Sequence, residues 1–192
     1  MTKSELRKLY LSKRQALSEP ERQRLSGDIA ELLFESFDFD SVKVLHCYIP
    51  IEKFKEVNTR PLFERIWDKF REIVTVVPKV NHVSGEMENV TYDSESILTQ
   101  NRWEIQEPVH DRRVEPESID MVLAPLVCFD RRGHRVGYGK GFYDRFLRRC
   151  RSDCLKIGLN FFSPVEEISD AHDGDVRLDF AVTPDGIYTI AK

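Results

Sequence analysis

Apolar residues recur every three to four positions through the first part of the chain, and this spacing predicts amphipathic helices. One helix is predicted over residues 4–17 with Ser4 as its N-cap, and a second follows Ser18-Glu19-Pro20-Glu21, which has the pattern of a capping box. A third helix is predicted from Thr59, where a Thr-Arg-Pro start precedes apolar residues at helical spacing. A fourth is predicted over residues 142–149.

Short apolar runs rich in β-branched residues lie between these helices and are typical of buried strands. Strands are predicted over residues 42–49, 73–77, 90–92, 119–129, 155–160, 180–183 and 187–190. Residues 94–100 are predicted to form a short helical turn. Alternating strands and helices predict an α/β domain with a largely parallel central sheet, and residues 1–192 are predicted to be one domain. In such folds ligands bind beyond the carboxyl ends of the strands.

The composition limits the class of protein. The chain has 192 residues, of which 41% are hydrophobic and 32% charged, as in ordinary soluble proteins. A net charge of −4 argues against nucleic-acid binding through bulk charge. Because no apolar run is long enough to span a membrane and the N-terminus lacks an apolar signal region, we expect a cytoplasmic protein, without membrane partners, whose cysteines are reduced. We expect a monomer that acts on a small molecule.

The most specific pattern lies between the strand predicted at 119–129 and the helix predicted at 142–149. There the chain reads Arg135-Val136-Gly137-Tyr138-Gly139-Lys140-Gly141-Phe142-Tyr143-Asp144. Glycines allow backbone amides to close on an anion, and the helix N-terminus and the two basic side chains add positive charge. The spacing matches neither the P-loop nor the dinucleotide fingerprint. A tight connection with surface charge is the alternative, but the combination favours phosphate binding, with Asp144 as an oxygen ligand for a divalent cation.

This loop, in this position, resembles the signature of the 5-formyltetrahydrofolate cyclo-ligases, and weaker similarity continues in order along nearly the whole chain. The resemblance implies a three-layer α/β/α sandwich with a largely parallel central sheet, similar to the fold of sugar-phosphate isomerases and CoA transferases. It implies an ATP-dependent ligase that uses Mg²⁺ and closes 5-formyltetrahydrofolate to 5,10-methenyltetrahydrofolate, releasing ADP and phosphate. The implied route is phosphorylation of the formyl oxygen followed by attack of N10.

The resemblance also implies roles for particular residues. It assigns ATP binding to the start of the first helix and to the glycine-rich loop, namely Lys3, Ser4, Glu5, Leu6, Arg7, Arg135, Val136, Gly137, Tyr138, Gly139, Lys140, Gly141, Phe142 and Tyr143. It assigns folate binding to Ile49, Glu56, Trp103, Tyr138, Gly139, Lys140, Gly141 and Phe142. Asp144 and Asp179 are the implied Mg²⁺ ligands, and Arg135 and Lys140 are the implied catalytic cations that screen phosphate charge.

The residue types alone leave structural explanations open at several of these positions. Lys3 and Arg7 also fit a solvated basic helix face, and Glu56 also fits a carboxylate that favours a helix dipole. Trp103 also fits an anchor for an irregular loop, and His172 and Asp173 also fit a turn cap. Two other functions stay open: an isomerase-like or kinase-like enzyme that uses the same loop on another phosphorylated substrate, and a folate- or nucleotide-binding regulator without turnover.

Overall fold

A central sheet with helices on both faces makes up the computed structural model, which describes residues 1–81, 86–101 and 104–190. The helices are α1 (Lys3–Ala16), α2 (Glu19–Ser36), α3 (Arg60–Lys69) and α4 (Phe142–Arg149). The strands are β1 (Val44–His46), β2 (Val74–Val80), β3 (Met87–Thr91), β4 (Leu98–Gln100), β5 (Gln106–Pro108), β6 (Met121–Pro125), β7 (Cys128–Phe129), β8 (Arg135–Val136), β9 (Leu155–Leu159), β10 (Phe180–Thr183) and β11 (Gly186–Thr189).

Seven strands form the main sheet in the order β11-β10-β9-β6-β1-β2-β3. The five inner strands are parallel, and the two edge strands, β3 and β11, run antiparallel to their neighbours. The chain moves outward from β1 to β3, then returns to place β6 on the other side of β1 and moves outward again to β11. The strand order therefore reverses between β1 and β6, where open α/β sheets bind their ligands.

Alternate residues of the inner strands pack into two separate layers of side chains. Leu123 faces the layer that contains residues of α2 and α3, whereas the adjacent Val122 and Ala124 face the layer that contains residues of α4. This alternation follows from the period of two along a strand. The predicted α/β fold, with a largely parallel sheet between two helical layers, is confirmed.

Two predicted strands were too long. The run 42–49 forms a strand only over β1, because after the Cys47 amide, which still donates to Val76 of β2, the chain leaves the sheet to begin the loop that follows. The run 119–129 is divided into β6 and β7, which belong to different sheets. β6 ends at Pro125, which lacks the N–H needed to continue a ladder, and β7 pairs with β8 in a small hairpin.

Two further local predictions were wrong. Residues 94–100 do not form a helical turn, because Leu98–Gln100 pairs as β4 with β5, which lies further along the chain. The N-cap of α1 is Thr2 rather than Ser4, since the Thr2 side chain accepts from the Glu5 amide and Glu5 completes a capping box. Ser18 caps α2 as predicted.

Helix α1 packs against the β7–β8 hairpin rather than against the main sheet. Leu6 and Tyr10 are buried there beside Val127, Cys128 and Val136. The helix therefore lies next to the chain that leaves the end of β6. Among the described residues, no helix is both long enough and apolar enough to cross a membrane.

Candidate active site at the switch point of the sheet

Two loops meet where the strand order reverses, and between them they carry most of the predicted site residues. The loop after β1 spans residues 47–59 and includes Ile49 and Glu56, while the chain after β6 forms the β7–β8 hairpin and the glycine-rich loop. A hydrogen bond of 2.6 Å from the Tyr138 hydroxyl to Glu56 Oε1 joins the two loops. The site is therefore assembled from two segments that are far apart in sequence.

A buried carboxylate fixes the turn of the β7–β8 hairpin. Asp130 is fully buried, and its Oδ1 accepts from the amides of Arg132 and His134 at 3.0 Å each. Its Oδ2 lies 3.2 Å from His134 Nδ1 and accepts from the Ile168 amide at 3.3 Å. Hydrogen bonds to a carboxylate are stronger than those between neutral groups, so Asp130 fixes the conformation of the turn that precedes the glycine-rich loop.

The glycine-rich loop presents backbone donors that are not used by the protein. Gly139 and Gly141 have φ values of +88° and +67°, a conformation that side chains rarely adopt. Within the described part of the chain, the amides of residues 137–141 have no acceptor. Gly141 is the N-cap of α4 and supplies no side-chain cap, so the helix N-terminus is also open. Such a cluster of free donors suits an anion.

The cations predicted to contact phosphate differ in the contacts that they make within the protein. Arg7 donates from Nε to the Gly137 carbonyl at 2.7 Å, and its guanidinium lies 3.3 Å from where a Cβ on Gly139 would be. Lys3 pairs with Asp175 at 2.5 Å, and Lys140 is exposed. Arg7 therefore lies at the glycine-rich loop and Lys3 pairs with Asp175, so the two residues do not form a purely solvated face, and their binding of ATP stays a prediction.

The other residues predicted at the start of α1 have structural partners. The Glu5 carboxylate accepts from the Thr2 amide at 2.9 Å, and this hydrogen bond lowers the pKa of Glu5. Leu6 is 2% exposed and packs in the core, and Ser4 is exposed in the first turn of the helix. Their assignment to ATP stays a prediction.

Arg135 and Asp144 form an ion pair that ties β8 to α4. Arg135 donates to Asp144 Oδ1 at 2.7 Å and also to the Val176 carbonyl, while the Val176 amide donates to the same Asp144 oxygen at 3.1 Å. The Arg135 side chain is 5% exposed, and burial lowers its pKa while the pair with Asp144 opposes the change. Arg135 therefore lies beneath the loop rather than on its surface.

The two predicted Mg²⁺ ligands have different partners. Asp179 accepts from the Lys156 amide at 2.9 Å near the start of β9 and lies 3.6 Å from Lys156 Nζ. Asp144 keeps its Oδ2 without a hydrogen-bond partner in the described part of the chain and is 29% exposed. No group of three or more metal-binding side chains occurs among residues 1–81, 86–101 and 104–190. Because Mg²⁺ is commonly held by one or two carboxylates together with substrate phosphates, Asp144 fits as a ligand, while Asp179 is engaged with Lys156.

His172 caps a turn, which is the structural explanation that its residue type left open. Its Nδ1 accepts from the Gly174 amide at 3.0 Å, and its own amide donates to Asp175 at 2.9 Å. These bonds are those of a turn cap. The same Asp175 pairs with Lys3, so the turn also fixes the start of α1.

Glu56 is held by one donor from its own loop and one from the glycine-rich loop. It is 3% exposed; its Oε2 accepts from the Ile51 amide at 2.7 Å and its Oε1 from Tyr138. Burial raises the pKa of Glu56, while the bond from Tyr138 opposes the shift. The Tyr138 ring stacks on Phe54 at 4.7 Å between centroids, so Glu56 and Tyr138 have fixed positions.

Arg14 is a buried cation that the sequence patterns did not single out. It is 1% exposed and donates to the Tyr138 hydroxyl at 3.2 Å and to the Leu126 carbonyl at 2.5 Å. Its position in α1, four and eight residues after Tyr10 and Leu6 respectively, places it on the buried face of that helix. That spacing is the signal that would have identified it.

A second unpredicted group connects β1 to the start of α4. His46 is fully buried, with Nδ1 2.9 Å from Asn89 Oδ1 and Nε2 3.1 Å from the Tyr143 hydroxyl. Burial lowers the pKa of His46 to about 3, so the ring is neutral. Because the Asn89 oxygen can only accept, Nδ1 carries the proton and Nε2 accepts from Tyr143.

Ile49 lies on the wall of a cleft of about 360 Å³ beside the loop that carries Glu56. The cleft is lined by side chains of that loop, of α3 and of the β4–β5 hairpin. Trp103, the other aromatic residue predicted to contact folate, lies outside the described residues.

The fold and the position of its site define a doubly wound α/β protein with a small-molecule site at the switch point. The model of the 5-formyltetrahydrofolate cyclo-ligase family matches residues 1–184. The chain therefore belongs to the 5-formyltetrahydrofolate cyclo-ligase family of enzymes.

Individual relatives agree with this assignment. The 5-formyltetrahydrofolate cyclo-ligase of Escherichia coli strain K12 is 31% identical over 181 residues, which cover 92% of this chain and 97% of the relative. The NMR structure of Aquifex aeolicus 5,10-methenyltetrahydrofolate synthetase is 36% identical with a TM-score of 0.84, covering 100% of this chain and 94% of that one. A 5,10-methenyltetrahydrofolate synthetase structure from Mycoplasma pneumoniae is 32% identical with a TM-score of 0.75, covering 96% and 99%.

Proposed function

We propose that this chain closes 5-formyltetrahydrofolate to 5,10-methenyltetrahydrofolate with ATP, releasing ADP and phosphate. The observation that carries the proposal is the meeting of two unlike half-sites at the switch point. One is a glycine-rich loop with free amides beside Arg7 and Lys140, which suits phosphates. The other is the buried Glu56, which suits the N–H donors along one edge of a pterin.

The reaction needs activation of a poor electrophile. The N5-formyl carbon is amide-like, and transfer of the γ-phosphoryl group to its oxygen makes that oxygen a leaving group. N10 then attacks the carbon and loses its proton, and the C–O bond breaks as phosphate departs, which leaves the methenyl bridge between N5 and N10. The protein contributes mainly by holding the two substrates in line and by screening charge, so no side-chain nucleophile is required.

On the nucleotide side, we assign phosphate binding to the amides of residues 137–141 and to Lys3, Arg7 and Lys140. Lys3 exchanges its pair with Asp175 for a phosphate in this assignment. The buried Arg135 positions Asp144 and the start of α4 through its two bonds, so it contributes to catalysis through them. A Mg²⁺ ion held by Asp144 would neutralise phosphate charge.

On the folate side, we assign the pterin to Glu56, with Tyr138 between the two ligands. Tyr138 follows directly on the carbonyl that Arg7 contacts and at the same time donates to Glu56. A shift of this loop on nucleotide binding is therefore transmitted to the Glu56 carboxylate, which binds the folate in this assignment. That contact supports a ligase, which must bring both substrates together, over a protein that binds one of them alone.

The decisive experiment follows the absorbance of the methenyl product from purified protein and 5-formyltetrahydrofolate. We expect product with ATP and Mg²⁺, and none when ATP is left out or replaced by a non-hydrolysable analogue. Chelation of Mg²⁺ should strongly reduce the rate. Binding of both ligands without product would favour the regulator, and ATP turnover without methenyl product would favour a kinase-like relative.

A further inference from the structure

The cleft that contains Ile49 has the walls of a site for a flat aromatic group. Phe63 of α3 and Tyr92 lie in its lining, and their rings pack edge to face, 4.9 Å apart and inclined by 86°. Leu98 of β4 adds an apolar contact from the small hairpin. The volume of the cleft, about 360 Å³, lies within the ~300–1,000 Å³ typical of small-molecule sites.

One cation in this cleft has no counterion. Arg60, the first residue of α3, is exposed in the lining, and its guanidinium has no ion pair or hydrogen-bond partner in the described chain. Glu52 also lines the cleft, but it is bound to Arg22 at 2.6 Å. By contrast Arg65, further along α3, pairs with Glu31 at 2.9 Å. Among the described residues of this lining, Arg60 is therefore the charge that has no partner within the protein.

The cleft also adjoins the proposed pterin site. Ile49 lies in its wall, and two residues later the Ile51 amide holds the Glu56 carboxylate. The same short segment thus faces Glu56 on one side and the cleft on the other. A ligand whose heterocycle is bound by Glu56 can extend an arm past this segment into the cleft.

We propose that the cleft binds the p-aminobenzoylglutamate arm of the folate, with its benzoyl ring among the aromatic side chains and a glutamate carboxylate paired with Arg60. This inference rests on the proposed function, because it concerns the same substrate. The arm is the part of the two substrates that combines a benzene ring with a carboxylate, and an arginine fork matches a carboxylate with two parallel hydrogen bonds. The ATP phosphates have their own donors at the glycine-rich loop.

The test compares two ligands that differ only in the glutamate: 5-formyltetrahydropteroylglutamate and 5-formyltetrahydropteroate, which keeps N10 and the ring. Each is titrated calorimetrically into wild type, Arg60→Ala and the matched control Arg65→Ala. We expect wild type to prefer the glutamate form and Arg60→Ala to bind it about tenfold more weakly or worse, as for loss of a charge-assisted contact. Pteroate binding and the KM for ATP should not change. Arg65→Ala should behave as wild type, and Arg60→Lys should recover part of the preference.

Equal preference for the glutamate form in wild type and Arg60→Ala would overturn the inference, as would a parallel loss of pteroate affinity. If wild type binds both ligands with an Arg60-dependent preference but forms no methenyl product, the proposed function fails and the site for the arm stands. If product forms and Arg60→Ala shows no change in preference, the site for the arm fails alone. Thermal melting of each variant checks that the fold is intact.

Discussion

Glu56 receives two hydrogen bonds in a site where it is almost fully buried, one from the Ile51 amide of its own loop and one from Tyr138 of the glycine-rich loop. A carboxylate in this position can accept from a ligand with its remaining lone pairs, and its charge is poorly screened there. A nucleotide phosphate would be repelled by it. The residue is therefore suited to a ligand that presents N–H donors.

Glu56→Gln keeps an acceptor oxygen and removes the charge. We expect 5-formyltetrahydrofolate binding to weaken by about 1.5–3 kcal/mol, the range for a hydrogen bond to a charged group, while ATP affinity is nearly unchanged. Titration calorimetry with each ligand measures both. Glu35→Gln, an exposed change on α2, serves as the control. Weaker ATP binding with normal folate binding would mean that the two ligands are assigned the wrong way round.

His46 makes the stability of the fold depend on pH. In the unfolded chain the ring titrates near the ordinary histidine pKa of 6.5, but in the folded protein its pKa is lowered to about 3 by burial. Between these values the unfolded state binds the additional proton, so stability is complete above pH 6.5 and falls as the pH decreases toward 3.

The size of this effect can be isolated with His46→Gln, which removes the titrating ring and keeps an acceptor for Tyr143. Between about pH 7 and about pH 5, the unfolding free energy of wild type should fall by about 2 kcal/mol more than that of the variant. Urea denaturation at both pH values measures the difference, and the other titrating groups cancel in the comparison. Parallel pH profiles would show that His46 does not titrate in this way.

Residue type singled out the glycine-rich loop, and the resemblance to the cyclo-ligases singled out Glu56, but neither indicated the buried polar groups that hold them. Arg14 resembles the exposed basic residues around it, and it is revealed by its spacing from Leu6 and Tyr10. His46 lies within an apolar run, where a histidine fits a core position as well as a site. Its partner Asn89 lies on β3, two strands away in the sheet, and this distant pairing leaves no local signal.

At the level of single elements, Asp144 at the start of α4 has one structural role and one proposed role. Its Oδ1 accepts from Arg135 and the Val176 amide, and its Oδ2 has no hydrogen-bond partner among the described residues and is the atom proposed to bind Mg²⁺. Asp144→Asn keeps an oxygen for the first role and loses the charge needed for the second. We expect a strong loss of turnover with partial rescue at high Mg²⁺, together with a lower melting temperature, because the buried Arg135 loses its counter-charge.

Asp153→Asn, an exposed change after α4, is the control for the Asp144 variant. Steady-state rates across a Mg²⁺ series and thermal melts make the comparison. A large loss of stability together with normal specific activity would assign Asp144 to the fold instead.

The glycine-rich loop depends on a backbone conformation that a side chain would disturb. In Gly139→Ala the new Cβ must accept a φ of +88° and would lie 3.3 Å from Arg7 Nη2. The loop and the guanidinium should both shift, and we expect the KM for ATP to rise about tenfold or more, a loss of about 1.4 kcal/mol. ATP saturation curves measure the change.

Gly27→Ala is a matched control for this substitution, because no described atom beyond the neighbouring backbone of α2 lies within 4 Å of a Cβ at that position. Alanine is the better helix former by up to about 1 kcal/mol, so this variant should be slightly more stable with an unchanged KM. An unchanged KM in Gly139→Ala as well would exclude the loop from nucleotide binding.

Elements marked by a clear apolar run or helical spacing were predicted, whereas those whose residues carry no such pattern were missed. The boundaries of α4 are the predicted ones, because a glycine N-cap and a short amphipathic run mark it. By contrast, β4 exists because it pairs with β5, and its residues alone fit a helical turn equally well. Likewise the apolar run after Ile119 continues past Pro125, although the chain changes from one sheet to another there.

At the level of the whole molecule, α1 contacts both loops of the candidate site, because Gln15 near its end donates to the Lys53 carbonyl in the loop that carries Glu56. Arg7 contacts the glycine-rich loop, and Arg14 contacts both Tyr138 and the end of β6. The helix does not pack on the main sheet, and the buried Arg14 attaches it to Tyr138 and to the residue that follows β6. Its loss should affect stability and both substrates together.

Arg14→Met fills a similar volume and removes the donors. We expect the unfolding free energy to fall by about 3 kcal/mol, because the Leu126 carbonyl and Tyr138 each lose a charged partner, and the KM values for ATP and folate should both rise. Urea denaturation and steady-state kinetics measure these effects, with the exposed Lys8→Met as control. A change confined to one substrate would contradict the connecting role.

The reversal of strand order between β1 and β6 has a consequence for how this protein can diverge. Each half-site is carried by its own loop, and the two loops leave adjacent strands toward opposite halves of the sheet. Insertions or exchanges in residues 51–58 can therefore alter the proposed folate site without moving the residues proposed to bind the nucleotide, and the reverse holds for the hairpin after β6. Mutation during evolution or loop grafting in the laboratory can therefore change the recognition of one substrate at a time, provided that the hydrogen bond between Tyr138 and Glu56 is kept.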